Sequence, residues 1–434
     1  MTTAGVLAGR TILRFAHAFD TGGGTERYLD DLDRVLLERN AMTIVRLHLT
    51  HQRQGELATK HDIGQGVLIR LSLPIIAAGS STGPDANERS LRVRVREFCR
   101  DHVLYNPVVW RAFGQRYTKS RRLEPAPGQA IGAGKATRDL LRSYPVDLVM
   151  LHFCGVADAD EVVEASREAD VPVAILHHYA NERFLHAAIR KHVLQAAGVA
   201  GVNQLAVPDY LKERFVNLSD GIDIEFFRRA HAREVRRDAR PVILLPARVV
   251  PEKGQMDLVH AARELLASGH SFSIAFAGRL DESEFVAQLK TEIARARLDD
   301  RVLFLGDLSV EDLRDWYAAS SIVAFPTYHH EGLGRAIVEA EAMEVPVVAY
   351  ATGGVPEAMI EGETGFLLRT GDVEGLAQSL RQLLESDALR TKMALRGRAF
   401  AEERFSLPAL AERHEQFYLR FARSARSEAT AVGA

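Results

Sequence analysis

Short runs of apolar, often β-branched residues recur along the chain, and most are followed by longer segments with helical spacing. The short runs are apolar rather than strictly alternating, which is typical of parallel strands buried on both faces of a sheet. Their alternation with helical segments predicts βαβ units and doubly wound α/β sheets. The predicted strands span 11–17, 43–49, 67–73, 147–153, 171–178, 199–203, 241–248, 272–278, 301–306, 321–327 and 345–350.

This many strands, in a chain of 434 residues, predicts two domains. One ordinary domain accounts for about 150 residues. Residues 226–240 are rich in charge and poor in strand signal, as linkers tend to be. We therefore expect domains at 1–225 and 226–405. The segment 407–424 is predicted to form one helix after the break at Pro408.

Composition narrows the class of protein and its setting. Lys and Arg number 55 against 58 Asp and Glu, a balance that disfavours a nucleic-acid partner. Two cysteines, Cys99 and Cys154, cannot build a disulfide framework, which favours a reducing, cytoplasmic location. The most apolar stretch, 66–79, contains Arg70 and is shorter than the roughly 18–20 apolar residues of a membrane span. We also expect no signal peptide, so any membrane contact is expected at the inner face.

The segment 92–122 departs from this neutral average. It holds nine Lys and Arg residues against two acidic ones, with five aromatic residues interleaved. A basic, aromatic, helix-compatible surface is attracted to anionic lipid headgroups. A solvated helical hairpin that lines the cleft between the domains fits the same pattern. The sequence leaves both interpretations open.

The densest candidate site spans residues 327–348. A strand ends at Pro326, a glycine-bearing turn follows, and a helix is expected to begin near Gly334. Glycines at 332 and 334 permit close backbone approach, and the free amides of a helix start bind anions. Glu331 lies in the turn and Glu339 in the helix, too far apart around the axis to share one metal. We expect two carboxylates that accept hydrogen bonds from an extended polar ligand.

A second cluster precedes this one in the chain. Arg248 follows a strand, and Lys253 and Gly254 stand at the start of the next predicted helix. Arg and Lys beside helix amides are suited to a dianionic diphosphate. Taken singly, these are ordinary surface cations, and Glu339 is an ordinary solvated helix residue. Their combination favours a phosphate site over that alternative.

These residues carry a resemblance to a known family. The chain resembles the family 4 retaining glycosyltransferases, most strongly over 241–405, with similarity through most of its length. Glu331 to Glu339 is similar to the family's E-x7-E motif, and PARVVPEKG is similar to its G-R-x-x-x-x-K-G segment. NLSDGIDIEFF at 217–227 resembles the family's run at the domain junction. Where the family usually has glycine before the Pro-Val-Val strand, this chain has Glu344.

The resemblance implies the GT-B fold, in which two Rossmann-like domains face each other across a cleft. It implies that 1–225 binds the acceptor, that 226–405 binds a nucleotide-sugar donor, and that the helix 407–424 crosses back onto the first domain. Arg248 and Lys253 would contact the diphosphate, Glu339 the ribose hydroxyls, and Glu331 the donor sugar. The remaining residues expected to line the donor site are Gly332, Leu333, Gly334, Gly254, Gly278 and Gly306.

In the first domain, three glycines follow the first strand: Gly22, Gly23 and Gly24. They form neither a dinucleotide fingerprint nor a P-loop, but match the family's loop that faces the diphosphate and acceptor. The resemblance also assigns His178 a hydrogen bond to the donor sugar or support of developing charge, rather than the role of base. His177 and His152 are further candidates at strand ends, although a strand-end histidine is often a plain loop residue.

No metal site is expected. The two D-x-D strings, Asp31–Asp33 and Asp158–Asp160, are interpreted as surface acids, and the resembled family generally needs no metal at such a motif. We likewise expect no resident cofactor, because the nucleotide-sugar is a co-substrate.

The resemblance therefore implies a retaining, metal-independent hexosyltransferase. Its donor would be a UDP-, GDP- or dTDP-sugar, and its acceptor a hydroxyl of a glycan or lipid-linked molecule in bacterial surface polysaccharide or glycoconjugate synthesis. Two alternatives remain open: a sugar-nucleotide epimerase or phosphorylase of the same shape, and a non-catalytic nucleotide-sugar-binding protein. An epimerase would convert its donor without acceptor. A binding protein would be expected to lack the Arg, Lys or Glu residues.

Overall fold

The computed structural model describes residues 5–16, 24–50, 58–74, 133–152, 157–178, 195–204, 211–235 and 239–423. Within these ranges the chain forms two α/β units, each built on a mainly parallel sheet. The predicted architecture of two doubly wound, Rossmann-like sheets is confirmed.

The described part of the first unit contains eight strands and three helices of its own. The strands are β1 (Thr11–Ala16), β2 (Thr43–Thr50), β3 (Ala58–Ile63), β4 (Gly66–Pro74), β5 (Leu148–His152), β6 (Val173–His177), β7 (Gly198–Gly201) and β8 (Phe215–Asn217), in the spatial order β3-β4-β2-β1-β5-β6-β7-β8. The helices are α1 (Gly24–Arg39), α2 (Ala133–Ser143) and α3 (Ala157–Glu168).

The second unit contains six strands: β9 (Val242–Leu245), β10 (Ser273–Ala277), β11 (Val302–Gly306), β12 (Ile322–Phe325), β13 (Val347–Tyr350) and β14 (Gly365–Leu368). Their spatial order is β11-β10-β9-β12-β13-β14. The remaining helices are α4 (Gln255–Ala267), α5 (Ser283–Arg295), α6 (Val310–Ala319), α7 (Arg335–Ala342), α8 (Val355–Ala358), α9 (Val373–Glu385), α10 (Asp387–Phe405) and α11 (Leu407–Phe421), with short 3-10 turns at Arg229–His231 and Pro251–Lys253.

Both faces of the second sheet are covered, which explains why its strands are apolar throughout. Strands β9, β10, β12 and β13 are buried at every residue. One core cluster joins the sheet to α4, α5 and α9, and the other joins it to α7 and the end of α10. The carboxyl ends of parallel strands meet at one sheet edge, where ligands of such folds bind.

Three strands were not predicted. Strand β3 is polar and pairs antiparallel with β4, as a hairpin that turns at Gly64, whose φ is +54°. It lies at the sheet edge, where burial does not impose an apolar pattern. Strands β8 and β14 are three and four residues long, and most of their residues are only partly buried.

The last helix, α11, packs against α1 of the first unit. Arg39 donates to Glu415 through Nε and Nη2, at 2.9 and 3.1 Å, and the Tyr28 hydroxyl lies 2.7 Å from His414 Nε2. The predicted boundary at 225/226 falls between β8 and β9 and stays a prediction, as do the acceptor and donor roles of the two units.

Candidate functional site

A sharp turn brings the Lys253 segment against the end of β12. Gly254 has a φ of +74°, and a Cβ atom there would lie 1.9 Å from the carbonyl oxygen of Pro326. Only glycine permits this approach. The backbone N–H of Tyr328 donates to the carbonyl of Glu252 at 2.8 Å, which holds the two loops together.

This approach pairs the two candidate residues from separate motifs. Lys253 Nζ lies 2.5 Å from Oε1 of Glu331, and the two side chains are only 12% and 18% exposed. A charge-assisted hydrogen bond in such a sheltered position is stronger than one on the surface. The pair lies one short turn before the start of α7.

The loop that carries Glu331 is held from both units. The backbone N–H of Gly354 donates to the carbonyl of Glu331 at 2.9 Å. From the first unit, Asn203 Nδ2 donates to the carbonyl of Gly332 at 2.5 Å. A Cβ atom on Gly332 would lie 2.3 Å from the carbonyl oxygen of His178, so glycine is required at this contact between the units.

Helix α7 begins without a side-chain cap among the residues that the structure describes. Gly334, at φ +84°, precedes its first residue and has no side chain that could cap its backbone amides. An uncapped helix start is a site for anionic groups. Leu333 is 4% exposed and packs in the second unit's core, so only its backbone is left for the donor role predicted for it.

Glu339 lies on the buried side of α7, which corrects the alternative of a solvated helix face. It is 2% exposed, and its Oε2 accepts a hydrogen bond from the Tyr317 hydroxyl at 3.0 Å. Arg335 Nε lies 4.0 Å from Oε1 of Glu339. The carboxylate is therefore oriented before any ligand binds.

Arg248 occupies the open side of the site. Its side chain is 49% exposed, and its Nη1 lies 3.2 Å from Oδ2 of Asp281. Gly278 allows the neighbouring loop to approach, because a Cβ atom there would lie 2.2 Å from the carbonyl oxygen of Ala247. At Gly306, whose φ is +71°, a Cβ atom would have no described neighbour within 4 Å, so the requirement for glycine there is conformational.

The three candidate histidines are buried in the first unit. His152 is 0% exposed, and His177 and His178 are each 7% exposed. His152 Nδ1 lies 2.9 Å from His178 Nε2, and the ring of Tyr28 packs edge-on against His178 at 5.1 Å. Burial first, and the neighbouring charges of His177 and Arg14 next, lower the pKa of His178 to about 3. The His178 imidazole is therefore neutral at physiological pH.

Several predictions fall outside the described residues. Gly22, Gly23 and the basic segment 92–122 lie there. Gly24 is the first residue of α1.

The interpretation of Asp31–Asp33 as surface acids is wrong for Asp33. Asp33 is 0% exposed and accepts hydrogen bonds from Arg14 and Arg46. The first D-x-D string is thus part of a buried ion network. Within the described ranges, no group of three or more His, Cys, Asp and Glu side chains is arranged to hold a metal ion.

Four residues of this site escaped the sequence analysis: Asn203, Tyr317, Arg335 and Gly354. The carbonyl of Gly332 lies 1.8 Å from a Cβ position at Gly354, so this glycine is also required. Asn203 is the last residue of a predicted strand, and this position at the strand end was a usable signal. No feature of the sequence marked Tyr317, because its hydrogen-bond partner Glu339 lies on another helix.

Comparison with known proteins finds a family model that matches most of the second unit. Residues 226–400 match the model described as Glycosyl transferases group 1. Over 213 residues the chain is 31% identical to a GDP-mannose-dependent monoacylated alpha-(1-6)-phosphatidylinositol monomannoside mannosyltransferase of Corynebacterium glutamicum, covering 46% of this chain and 54% of the relative. Over 229 residues it is 28% identical to the lipopolysaccharide core biosynthesis mannosyltransferase LpcC of Rhizobium leguminosarum, covering 50% and 63%. The chain spans about half the length of the curated relatives it matches.

Solved structures resemble the whole chain. A glycosyltransferase from Rickettsia africae superposes with a TM-score of 0.67 at 19% identity, covering 95% of this chain and 98% of its own. HepE from Anabaena, solved with UDP and glucose, superposes with a TM-score of 0.65 at 20% identity, covering 94% and 99%. The predicted GT-B fold and the resemblance to family 4 are confirmed.

In the parts of the chain that the structure describes, no helix has both the length and the apolar character needed to cross a lipid bilayer.

Proposed function

We propose that the protein is a retaining, metal-independent glycosyltransferase that transfers a hexose from a nucleoside diphosphate-sugar to an acceptor hydroxyl. The carrying observation is the sheltered pair of Lys253 and Glu331, 2.5 Å apart, close in the chain to the start of α7, which has no side-chain cap among the described residues. A cation, a carboxylate and helix amides at one point suit a sugar diphosphate. The carboxylate faces sugar hydroxyls, while the cation and amides face phosphate oxygens.

The proposed chemistry places positive groups where charge develops. As the bond between the sugar's anomeric carbon and the diphosphate breaks, the electron pair stays on the phosphate oxygen. Lys253, Arg248 and the α7 amides would stabilise that oxygen, and preorganised groups of this kind are usually the largest single contribution. The departing phosphate oxygen takes the acceptor's proton, and the acceptor oxygen bonds to the anomeric carbon on the same face. These steps retain the configuration at the anomeric carbon.

The remaining residues bind and orient. Glu339, already fixed by Tyr317, would accept hydrogen bonds from the ribose hydroxyls. Glu331 would contact the donor sugar, and the neutral His178 imidazole would donate a hydrogen bond to it. The glycines and Leu333 contribute backbone groups.

Donor and acceptor are proposed by class. The relatives' names include GDP-mannose-dependent enzymes and a lipopolysaccharide core enzyme, which favours a sugar nucleotide donor and a glycan or lipid-linked acceptor. We propose a role in bacterial surface polysaccharide or glycoconjugate synthesis at the cytoplasmic side, with segment 92–122 as the contact to a membrane or to the cleft. No resident cofactor is proposed.

A donor screen followed by single substitutions tests this proposal. UDP-, GDP- and dTDP-sugars, GDP-mannose among them, are screened for thermal stabilisation, and a donor at 100 times its Kd should stabilise by about 2.7 kcal/mol. With that donor, Lys253→Ala and Arg248→Ala should each lower turnover by about 10²-fold or more. Lys392→Ala, an exposed lysine of α10, is the matched control.

Further measurements distinguish this proposal from the alternative functions. Normal turnover in both Lys253→Ala and Arg248→Ala would refute the assignment. Conversion of the donor sugar to its epimer without acceptor would identify an epimerase instead. Activity abolished by EDTA and restored by Mn²⁺ would contradict metal independence, and an inverted anomeric signal in the product's NMR spectrum would contradict retention.

A further inference from the structure

A buried polar cluster of the first unit lies next to the loop that carries Glu331, and its residues come from β1, β5, the end of β6, α1 and α11. It joins Arg14, Tyr28, His152, His178, His414 and Tyr418 by hydrogen bonds and ring contacts. Each of the six is at most 7% exposed. So many polar groups in a core require specific partners, because each unsatisfied one destabilises the fold.

Within this cluster, His178 is the residue next to the loop that carries Glu331. Its carbonyl oxygen faces Gly332 of the loop that carries Glu331, as the 2.3 Å approach to a Cβ position there indicates. His152 lies directly behind it, at the end of β5, and the two imidazoles are hydrogen bonded between Nδ1 of His152 and Nε2 of His178 at 2.9 Å. Whichever nitrogen carries the proton in this bond fixes the tautomer of both rings.

The other ring nitrogen of His152 decides between the two arrangements. His152 Nε2 is buried and has no hydrogen-bond partner among the residues that the structure describes. If His178 donated in the shared bond, His152 would carry its proton on this Nε2, as an orphaned buried N–H. Orphaned buried donors are rarer and costlier than unsatisfied acceptors. The arrangement in which His152 donates leaves only a lone pair at Nε2.

The charge of Arg14 keeps the His152 ring neutral. This fully buried guanidinium lies close enough to His152 to contribute to the lowering of its pKa, after burial itself and the neighbouring His178. A second positive charge on the imidazole is disfavoured beside a fixed cation, so His152 carries a single proton and can take part in the shared hydrogen bond as a neutral ring.

We infer that His152 is a positioning residue, which donates from Nδ1 to Nε2 of His178 and fixes His178 as the tautomer with its proton on Nδ1. The inference rests on the proposed function, in which neutral His178 donates a hydrogen bond to the donor sugar. A fixed tautomer keeps the N–H group that makes this hydrogen bond at one ring position, Nδ1. His152 itself contacts no substrate in this arrangement.

The tautomer is observable without any activity assay. In protein labelled with ¹⁵N-histidine, two-bond ¹H–¹⁵N correlation spectra distinguish Nδ1–H from Nε2–H rings. His152→Asn and His178→Gln assign the two resonances among the chain's 16 histidines. Both His152 and His178 should carry the proton on Nδ1 in the wild-type protein. An Nε2–H ring at His178, or a charged ring at either position, would overturn the inference.

Substitution then tests whether the tautomer matters for transfer. His152→Leu removes the donated hydrogen bond, and turnover should fall about tenfold with the donor KM unchanged, since one hydrogen bond is lost and binding groups stay. His152→Asn places an amide N–H where Nδ1 stood and should restore most of the turnover and the Nδ1–H signal of His178. His414→Leu is the matched core control, because it should leave that signal unchanged.

The outcomes separate this inference from the proposed function. An Nδ1–H signal at His178 in a protein that transfers no sugar would uphold the tautomer and refute the function. An active enzyme in which His152→Leu turns over normally would refute the positioning role. If His152→Leu fails to fold, the His152→Asn variant and the wild-type spectra still decide.

Discussion

Arg335 Nη1 lies 2.9 Å from Oδ1 of Asp220, so that the first residue of α7 forms an ion pair with the segment after β8. The same nitrogen donates to the carbonyl of Gly221 at 3.0 Å, and Nη2 lies 3.7 Å from Oδ2 of Asp31 in α1. The Arg335 side chain is 13% exposed. The helix that carries Glu339 is thus tied electrostatically to α1 of the first unit.

Breaking this pair should be costly. Arg335→Gln removes the cation that pairs with Asp220 in a sheltered site, and loss of one partner of a buried pair typically destabilises by about 3–5 kcal/mol. Denaturant unfolding should therefore shift to a clearly lower midpoint. The control is Arg396→Gln, whose partner Glu363 and whose own side chain are 55% and 41% exposed, with an expected change of about 0–1 kcal/mol. Equal shifts for the two variants would mean that the pair between the units contributes nothing.

Two glutamates of α7 make a matched test of nucleotide binding. Glu339 and Glu341 are 2% and 1% exposed, but only Glu339 contacts Tyr317. Glu339→Gln should weaken binding of the donor's nucleoside diphosphate by about 10- to 100-fold, because hydrogen bonds to a charged group contribute about 1.5–3 kcal/mol. Glu341→Gln should leave the affinity unchanged. Isothermal titration calorimetry measures both, and unchanged affinity in Glu339→Gln would remove Glu339 from the ribose role.

Glu341 should make stability depend on pH. Burial raises the pKa of this carboxyl well above its ordinary range, and Thr364 and Arg396 offset only part of the effect. Below about pH 4 both the folded and the unfolded chain hold the proton. As the pH rises, Glu341 ionises first in the unfolded chain. Its contribution to the free energy of unfolding therefore falls by up to about 1.4 kcal/mol per pH unit until the carboxyl also ionises in the folded protein.

Glu341→Gln removes that dependence, since an amide does not ionise. The variant's advantage over wild type in free energy of unfolding should therefore be larger at pH 8 than at pH 5. Glu403→Gln, an exposed position on α10, should give a difference that does not vary with pH. A Glu341→Gln advantage that is the same at both pH values would contradict the raised pKa.

One departure from the family pattern has a structural counterpart. Glu344 stands where the resembled family usually has glycine, and its φ is +57°, in the left-handed region. Glycine adopts this conformation without the steric cost that a Cβ atom brings. The departure therefore concerns the turn between α7 and β13 rather than the site.

Local pattern was sufficient for most of the framework. The eleven predicted runs each contain a strand, because burial on both faces imposes continuous apolar residues that the sequence displays directly. Glycines such as Gly254 and Gly334 were identifiable for a related reason, since a turn that requires left-handed backbone restricts the residue type locally. Strand β3 was not identifiable, because an edge strand that packs on one side carries no such restriction.

The sequence by itself determined two wound sheets and the chemical groups of the proposed donor site: Arg248, Lys253, Glu331 and Glu339. Only the tertiary structure decided which groups meet. Glu339 is hydrogen bonded to Tyr317, which is 22 residues away in the sequence. The corresponding separation is 26 residues for His178 and His152, and 115 residues for Arg335 and Asp220. Such contacts depend on the order in which strands join a sheet and on the docking of two units. Periodicity reports whether a residue is buried, whereas the partner it meets there is set by elements distant in the chain.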